Sequence, residues 1–183
     1  MKITRCISAA VLTLLFLASS SATAQKAKPL TGAFDPEQVL VNLEQRVRDR
    51  DWKWYSDFLA PDFRFTPYFA VIQEYPDLEW DQWGRARETG FIRELLDPAH
   101  AANLTLLDQV LDRGIESRGR AEWDLVYTLE TRGGVFKSRA IFVFEKVDNL
   151  WYLLEWTDTT IETAKESGLA FTTSGTLRGV LSR

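Results

Sequence analysis

The 183-residue chain carries one cysteine, one histidine and one methionine. A lone thiol excludes a disulfide framework. With His100 as the sole imidazole and no thiolate set, a structural zinc site lacks its ligands. No Gly-x-Ser-x-Gly elbow is present, which removes the α/β-hydrolase triad. The ten glycines never gather into a phosphate-cradling loop ahead of a helix. Basic residues are scattered and outnumbered, 22 against 26 acidic, so nucleic acid finds no patch from which to release counterions. Asp108 and Asp112 share a strand face but lack the dense spacing of a calcium loop. No metal and no cofactor is expected.

What is present begins with a leader. Lys2 and Arg5 precede an apolar run from Ile7 to Ala18, and small residues end in Ala22-Thr23-Ala24. This is the pattern of a cleaved secretory signal over residues 1–24. The run is shorter than the roughly 20 residues of a membrane span. Cys6 stands ahead of it, where it cannot carry a lipoprotein lipid. The expected mature chain starts near Gln25, is exported to a periplasmic or extracellular space, and has no membrane span.

Residues 25–34 read as a tether. Asp35 then supplies a cap, Pro36 a first helical position and Gln38 a capping-box partner. Val39, Leu40, Leu43 and Val47 recur at helical spacing. A short second helix carries Trp52, Tyr55 and Phe58 and stops at Pro61. Phe63 and Phe65 alternate with Arg64 and Thr66, which predicts a strand. Residues 67–79 read as irregular. Asp81 is the expected cap of a third helix bearing Trp83, Arg87, Phe91 and Leu95.

From residue 103 the period switches to two. Three long strands follow a first at 104–113, joined by turns at Gly133-Gly134 and Asp148-Asn149. Helices followed by such a meander give an α+β domain over residues 35–160, with antiparallel pairing expected throughout. Residues 161–183 read as a polar, weakly patterned tail with Phe171, Leu177, Val180 and Leu181 as anchors.

The order of elements resembles the nuclear transport factor 2-like (SnoaL-like, cystatin-like fold) superfamily. The matching stretches are residues 54–65, Trp-Tyr-Ser-Asp-Phe-Leu-Ala-Pro-Asp-Phe-Arg-Phe, and 151–158, Trp-Tyr-Leu-Leu-Glu-Trp-Thr-Asp. The resemblance implies a cone, three N-terminal helices packed on a curved antiparallel sheet, with a pocket inside. It also implies frequent dimerisation through the outer sheet face. A homodimer is expected there, because Val135, Ile141 and Val143 oppose Phe136, Phe142 and Phe144 across the strand. Superfamily members include enzymes and non-enzymatic binding domains, so the fold leaves function open.

Residues 52–91 contain twelve aromatic side chains. They fill a core, and some are expected to line a pocket for a small apolar or aromatic ligand. Tyr55, Phe65, Trp83, Trp123, Tyr127 and Trp156 are the candidate lining residues, with Arg139 as polar anchor. The reading is a non-catalytic binding or assembly domain. The alternative is a lyase or isomerase resembling ketosteroid isomerase, with a pocket Asp as base and a Tyr as oxyanion donor. Tyr55, Asp57, Asp108, Asp124, Tyr127 and Asp158 supply the residue types without a diagnostic spacing. His100 sits in a loop and reads as an exposed polar residue.

Overall fold

Asp35 caps the first helix as its side chain requires, with Oδ1 accepting the Gln38 N–H at 2.7 Å. The helix, α1 (Pro36–Arg48), buries Val39, Leu40, Leu43 and Val47. The computed structural model describes residues 32–114, 116–159 and 174–182. The leader and Phe171 lie outside the described residues.

After α1 come α2 (Trp52–Tyr55) and β1 (Leu59–Thr66), then α3 (Phe69–Glu74) and α4 (Arg85–Leu95). Four strands follow: β2 (Asn103–Arg113), β3 (Arg120–Thr131), β4 (Gly134–Val147) and β5 (Leu150–Thr159). Helix α5 (Ser174–Leu181) closes the described chain. The architecture is α+β, with the sheet in the order β1-β5-β4-β3-β2.

The sheet is mixed rather than wholly antiparallel. β1 pairs with β5 in parallel, Phe65 opposite Trp156, because the helices between β1 and β2 carry the chain across the sheet. Residues 67–79 are not irregular throughout, since α3 lies among them. The third expected helix starts three residues late. Asp81 falls in a 3₁₀ turn (Trp80–Gln82) and Gly84 precedes α4. The Asp148-Asn149 turn has φ of 52° and 67°, the double left-handed geometry of a tight hairpin.

Bulges shape the inner face. In β2 the register slips between Thr105 and Gln109, and Glu44 Oε1 on α1 accepts the loosened N–H groups of Leu106 and Leu107 at 2.5 and 3.1 Å. In β5 the register shifts where Val143 faces Glu155 and Phe144 faces Leu153. The extra residue reverses side-chain parity along β5. Trp151 and Leu153 point into the core before it, and Trp156 and Asp158 after it.

The outer face is polar. Asp124 pairs with Arg139, Oδ1 lying 2.8 Å from Nε. Asp108 pairs with Lys137 at 2.9 Å, and Arg120 with Glu155 at 3.0 Å. The Lys137 ammonium holds the Asp108 carboxyl below its usual value. Of the apolar residues expected there, Val135 is exposed while Val143 is buried. Phe142 and Phe144 belong to the core.

Candidate functional site

The inner face of the sheet and the helices converge on a polar cluster set in an aromatic wall. Tyr127 reaches it from β3, with its hydroxyl 2.6 Å from Asp158 Oδ1. Trp156 Nε1 donates to the same oxygen at 2.9 Å. Ser174, the first residue of α5, bonds the Tyr127 hydroxyl and donates to Asp158 Oδ2 at 3.2 Å.

Beside this lies a buried ion pair. Arg178 of α5 grips Glu88 of α4 bidentately, Nε to Oε2 at 2.9 Å and Nη2 to Oε1 at 2.6 Å. Its remaining nitrogen, Nη1, donates to Ser174 Oγ at 2.6 Å. Trp83 Nε1 donates to Glu88 Oε2 at 2.9 Å. Both side chains are almost wholly inaccessible, 1% and 0% exposed. The guanidinium carbon stands 3.9 Å from the Phe65 ring centroid, 4.6 Å from Trp156 and 4.7 Å from Phe91. The rings face a desolvated cation, where such contacts are strongest.

Burial sets the protonation states. It pushes the Asp158 carboxyl up, against the opposing pull of Arg178 and three hydrogen bonds. It also pushes the Tyr127 phenol well above its usual value, with the Asp158 charge adding to the effect. Tyr127 is therefore a donor at neutral pH. For Arg178, burial works against the charge, but Glu88 outweighs it and raises the pKa. Tyr55 is buried and its phenol is likewise raised, first by burial and then by Glu88. Among the described residues its hydroxyl has no hydrogen-bond partner.

Little space is left. Tyr55, Phe91, Tyr127, Trp156, Ser174 and Arg178 help to line a cavity of about 10 Å³, the room of one water. The described C-terminal helix fills the rest.

Tyr55, Phe65, Trp83, Tyr127 and Trp156 lie around the Arg178–Glu88 pair, and of these Tyr55, Tyr127 and Trp156 line the small cavity. Trp123 does not. It packs edge-on to Phe144 with Arg113 over its other side, beside the N-terminus of α1. Arg139 is a correction: it lies on the outer face, its side chain 48% exposed and paired with Asp124, because β4 turns Ser138, Ala140 and Phe142 inward. The inner cation is Arg178. Asp57 is paired at 3.7 Å with Arg85, and Asp108 and Asp124 sit outside. His100 lies in the turn after α4, where its carbonyl accepts the Arg132 N–H at 2.7 Å.

No family model matches the chain, and no curated protein matches it either. Solved structures do. A Nostoc punctiforme domain of unknown function with a cystatin-like fold superposes with a TM-score of 0.53 at 12% identity, over 72% of this chain and 78% of the other. A Xanthomonas campestris protein provisionally named a calcium/calmodulin dependent protein kinase II association domain gives 0.51 at 14% identity, over 69% and 85%. The fold is the cystatin-like one. A Shewanella oneidensis protein that bears the nuclear transport factor 2-like name, of unknown function, has a TM-score of 0.45 at 14% identity, over 67% and 93%. At these identities the two likenesses above a TM-score of 0.5 show the fold and nothing of a ligand.

Proposed function

We propose that the chain is an exported, non-catalytic binding domain that receives a small ligand inside the cone. The observation that supports it is an apolar aromatic wall around a few converging polar groups: Glu88, Asp158 and the hydroxyls of Tyr55 and Tyr127. That is the composition of a ligand site, a flat apolar body held by rings and one polar head fixed at the base. With α5 seated the site is closed, so uptake requires that helix to move.

The acid–base alternative fits the same residues less well. An isomerase needs its carboxylate and its hydroxyl aimed at a shared substrate atom. Here Tyr127 spends its proton on Asp158 itself, and both Asp158 oxygens are engaged. Titration with planar aromatic amines, followed by tryptophan fluorescence, tests the binding reading. Saturable change from Trp83 and Trp156 is expected. A flat response across the series would leave only a structural or assembly role.

Two further proposals concern the whole chain. Export rests on the leader pattern, and mass spectrometry of secreted or periplasmic material is expected to give an N-terminus near Gln25. A full-length mass in the membrane fraction reverses it. Among the described residues, no helix is long and apolar enough to cross a membrane. A homodimer through the outer sheet face would bury Val135 beside the Asp108–Lys137 and Asp124–Arg139 pairs. Sedimentation showing a single-chain species at micromolar concentration removes it.

A further inference from the structure

The group that fills the cone is chemically specific. A planar cation donates a fork of two hydrogen bonds to Glu88 and a third to Ser174, with rings on several sides. Bidentate carboxylate plus aromatic faces is the arrangement that selects guanidinium over ammonium, because an ammonium cannot use the fork and is more strongly hydrated. The Tyr55 hydroxyl, buried beside the residual cavity, is one polar group in it that the described residues leave unmatched.

The helix that delivers the cation is poorly built to stay by itself. Its sequence, Ser-Gly-Thr-Leu-Arg-Gly-Val-Leu, holds two glycines in eight residues, which weakens helix formation. Leu177 is its one fully buried apolar side chain, Leu181 packs partly buried against the core, and Val180 is 54% exposed. Leaving the Glu88 carboxylate buried without a partner is costly, so the site requires a cation there. Arg178 meets that requirement through the fork, Ser174 and the rings, and a competitor of the same chemistry meets it in the same way.

We propose that the cone is a guanidinium receptor, that α5 occupies it with Arg178 as a built-in ligand, and that a guanidinium group from outside competes for the place. The inference rests on the binding reading above and names its ligand class. The guanidinium comes from a small molecule or from an arginine side chain of another polypeptide.

The test uses the full-length mature chain and L-argininamide, with L-lysinamide as control. A Gly179→Leu variant loosens α5 without touching the receptor, since even a Cβ at that position would stand 2.8 Å from the Tyr75 ring. Argininamide is expected to bind the wild type saturably, at least ten-fold tighter than lysinamide, and to speed tryptic cleavage after Arg178. Gly179→Leu is expected to bind it at least ten-fold tighter than wild type, because a filled site lowers apparent affinity by its unfilled fraction. If that variant does not fold, Arg178→Ala replaces it, with methylguanidinium expected to raise its melting temperature where methylammonium does not. A peptide of the Ser174–Leu181 sequence separates the sources: tighter binding than argininamide points to a polypeptide donor, equal binding to a small molecule. Aromatic amines that bind while argininamide shows no advantage over lysinamide overturn the ligand class and leave the pocket reading standing. Binding by the variants but none by wild type overturns the exchange, making α5 a fixed plug.

Discussion

Replacing Trp156 with alanine is expected to cost about 3–5 kcal/mol of stability, the loss typical of a large aromatic truncated in a core. Trp156 is 2% exposed. Its ring centroid is 5.0 Å from Tyr127, 4.8 Å from Phe142 and 6.1 Å from Phe65, so three elements of the wall lean on it. It also stacks on one side of the Arg178 guanidinium and donates to Asp158. The alanine variant therefore opens a void between sheet and helices and leaves Asp158 with one donor fewer. Urea unfolding should show the loss as a shifted midpoint, and thermal melting as a drop on the order of 10 °C. Trp156→Phe keeps most ring contacts and removes only the indole donor, so about 1–2 kcal/mol is expected. An alanine variant within about 1 kcal/mol of wild type would mean that Trp156 is not a keystone between these layers.

Trp156 also shows what a sequence can and cannot disclose. Its aromatic character marks it as core, and the period-two run of residues 150–158 marks its strand. Strict alternation, however, puts Trp156 and Asp158 on the face opposite Trp151 and Leu153. Only the bulge in β5 brings all four inside, and no glycine or proline announces it. The parallel β1–β5 pairing was hidden for a related reason. It depends on where the helices leave the chain, which local periodicity does not encode.

The ion pair hid differently. Glu88 stands at helical spacing from Phe91, Ile92 and Leu95, so its place on the buried face was readable once α4 was known to begin at Arg85. A helix counted from Asp81 puts Arg87 on its apolar line, whereas Arg87 is an outer residue paired with Glu79 at 2.7 Å. Arg178 gave less signal. A short, glycine-bearing segment after a polar stretch reads as tail, and its burial follows from a carboxylate ninety residues earlier in the chain. A mid-strand position alone does not make Arg139 an inner cation. Parity from Phe142 and Phe144 already assigned it outward.

Asp158 yields the prediction that best separates packing from charge. Asp158→Ala takes from the Trp156 indole N–H its acceptor and from the Tyr127 hydroxyl one of its two partners, a loss of about 2–6 kcal/mol at roughly 1–3 for each buried group. Asp158→Asn keeps an oxygen for both donors and offers its amide to Ser174, so no net loss from hydrogen bonding is expected at neutral pH. The pH dependence then fixes the role of the charge. Burial raises the Asp158 pKa above the unfolded value near 3.8, so the folded form binds the proton more tightly than the unfolded chain. Its contribution is intact below pH 3.8 and declines as pH rises through the folded pKa, at up to about 1.4 kcal/mol per unit. The asparagine variant lacks that decline, while every other titrating group is common to both proteins. Measured from pH 4 to 8, wild type should lose ground to Asp158→Asn with rising pH, and the variant should equal or exceed it at pH 7. A difference that stays flat, or that grows in favour of wild type, would show that Arg178 and the hydrogen bonds outweigh burial and keep Asp158 ionised in the cone.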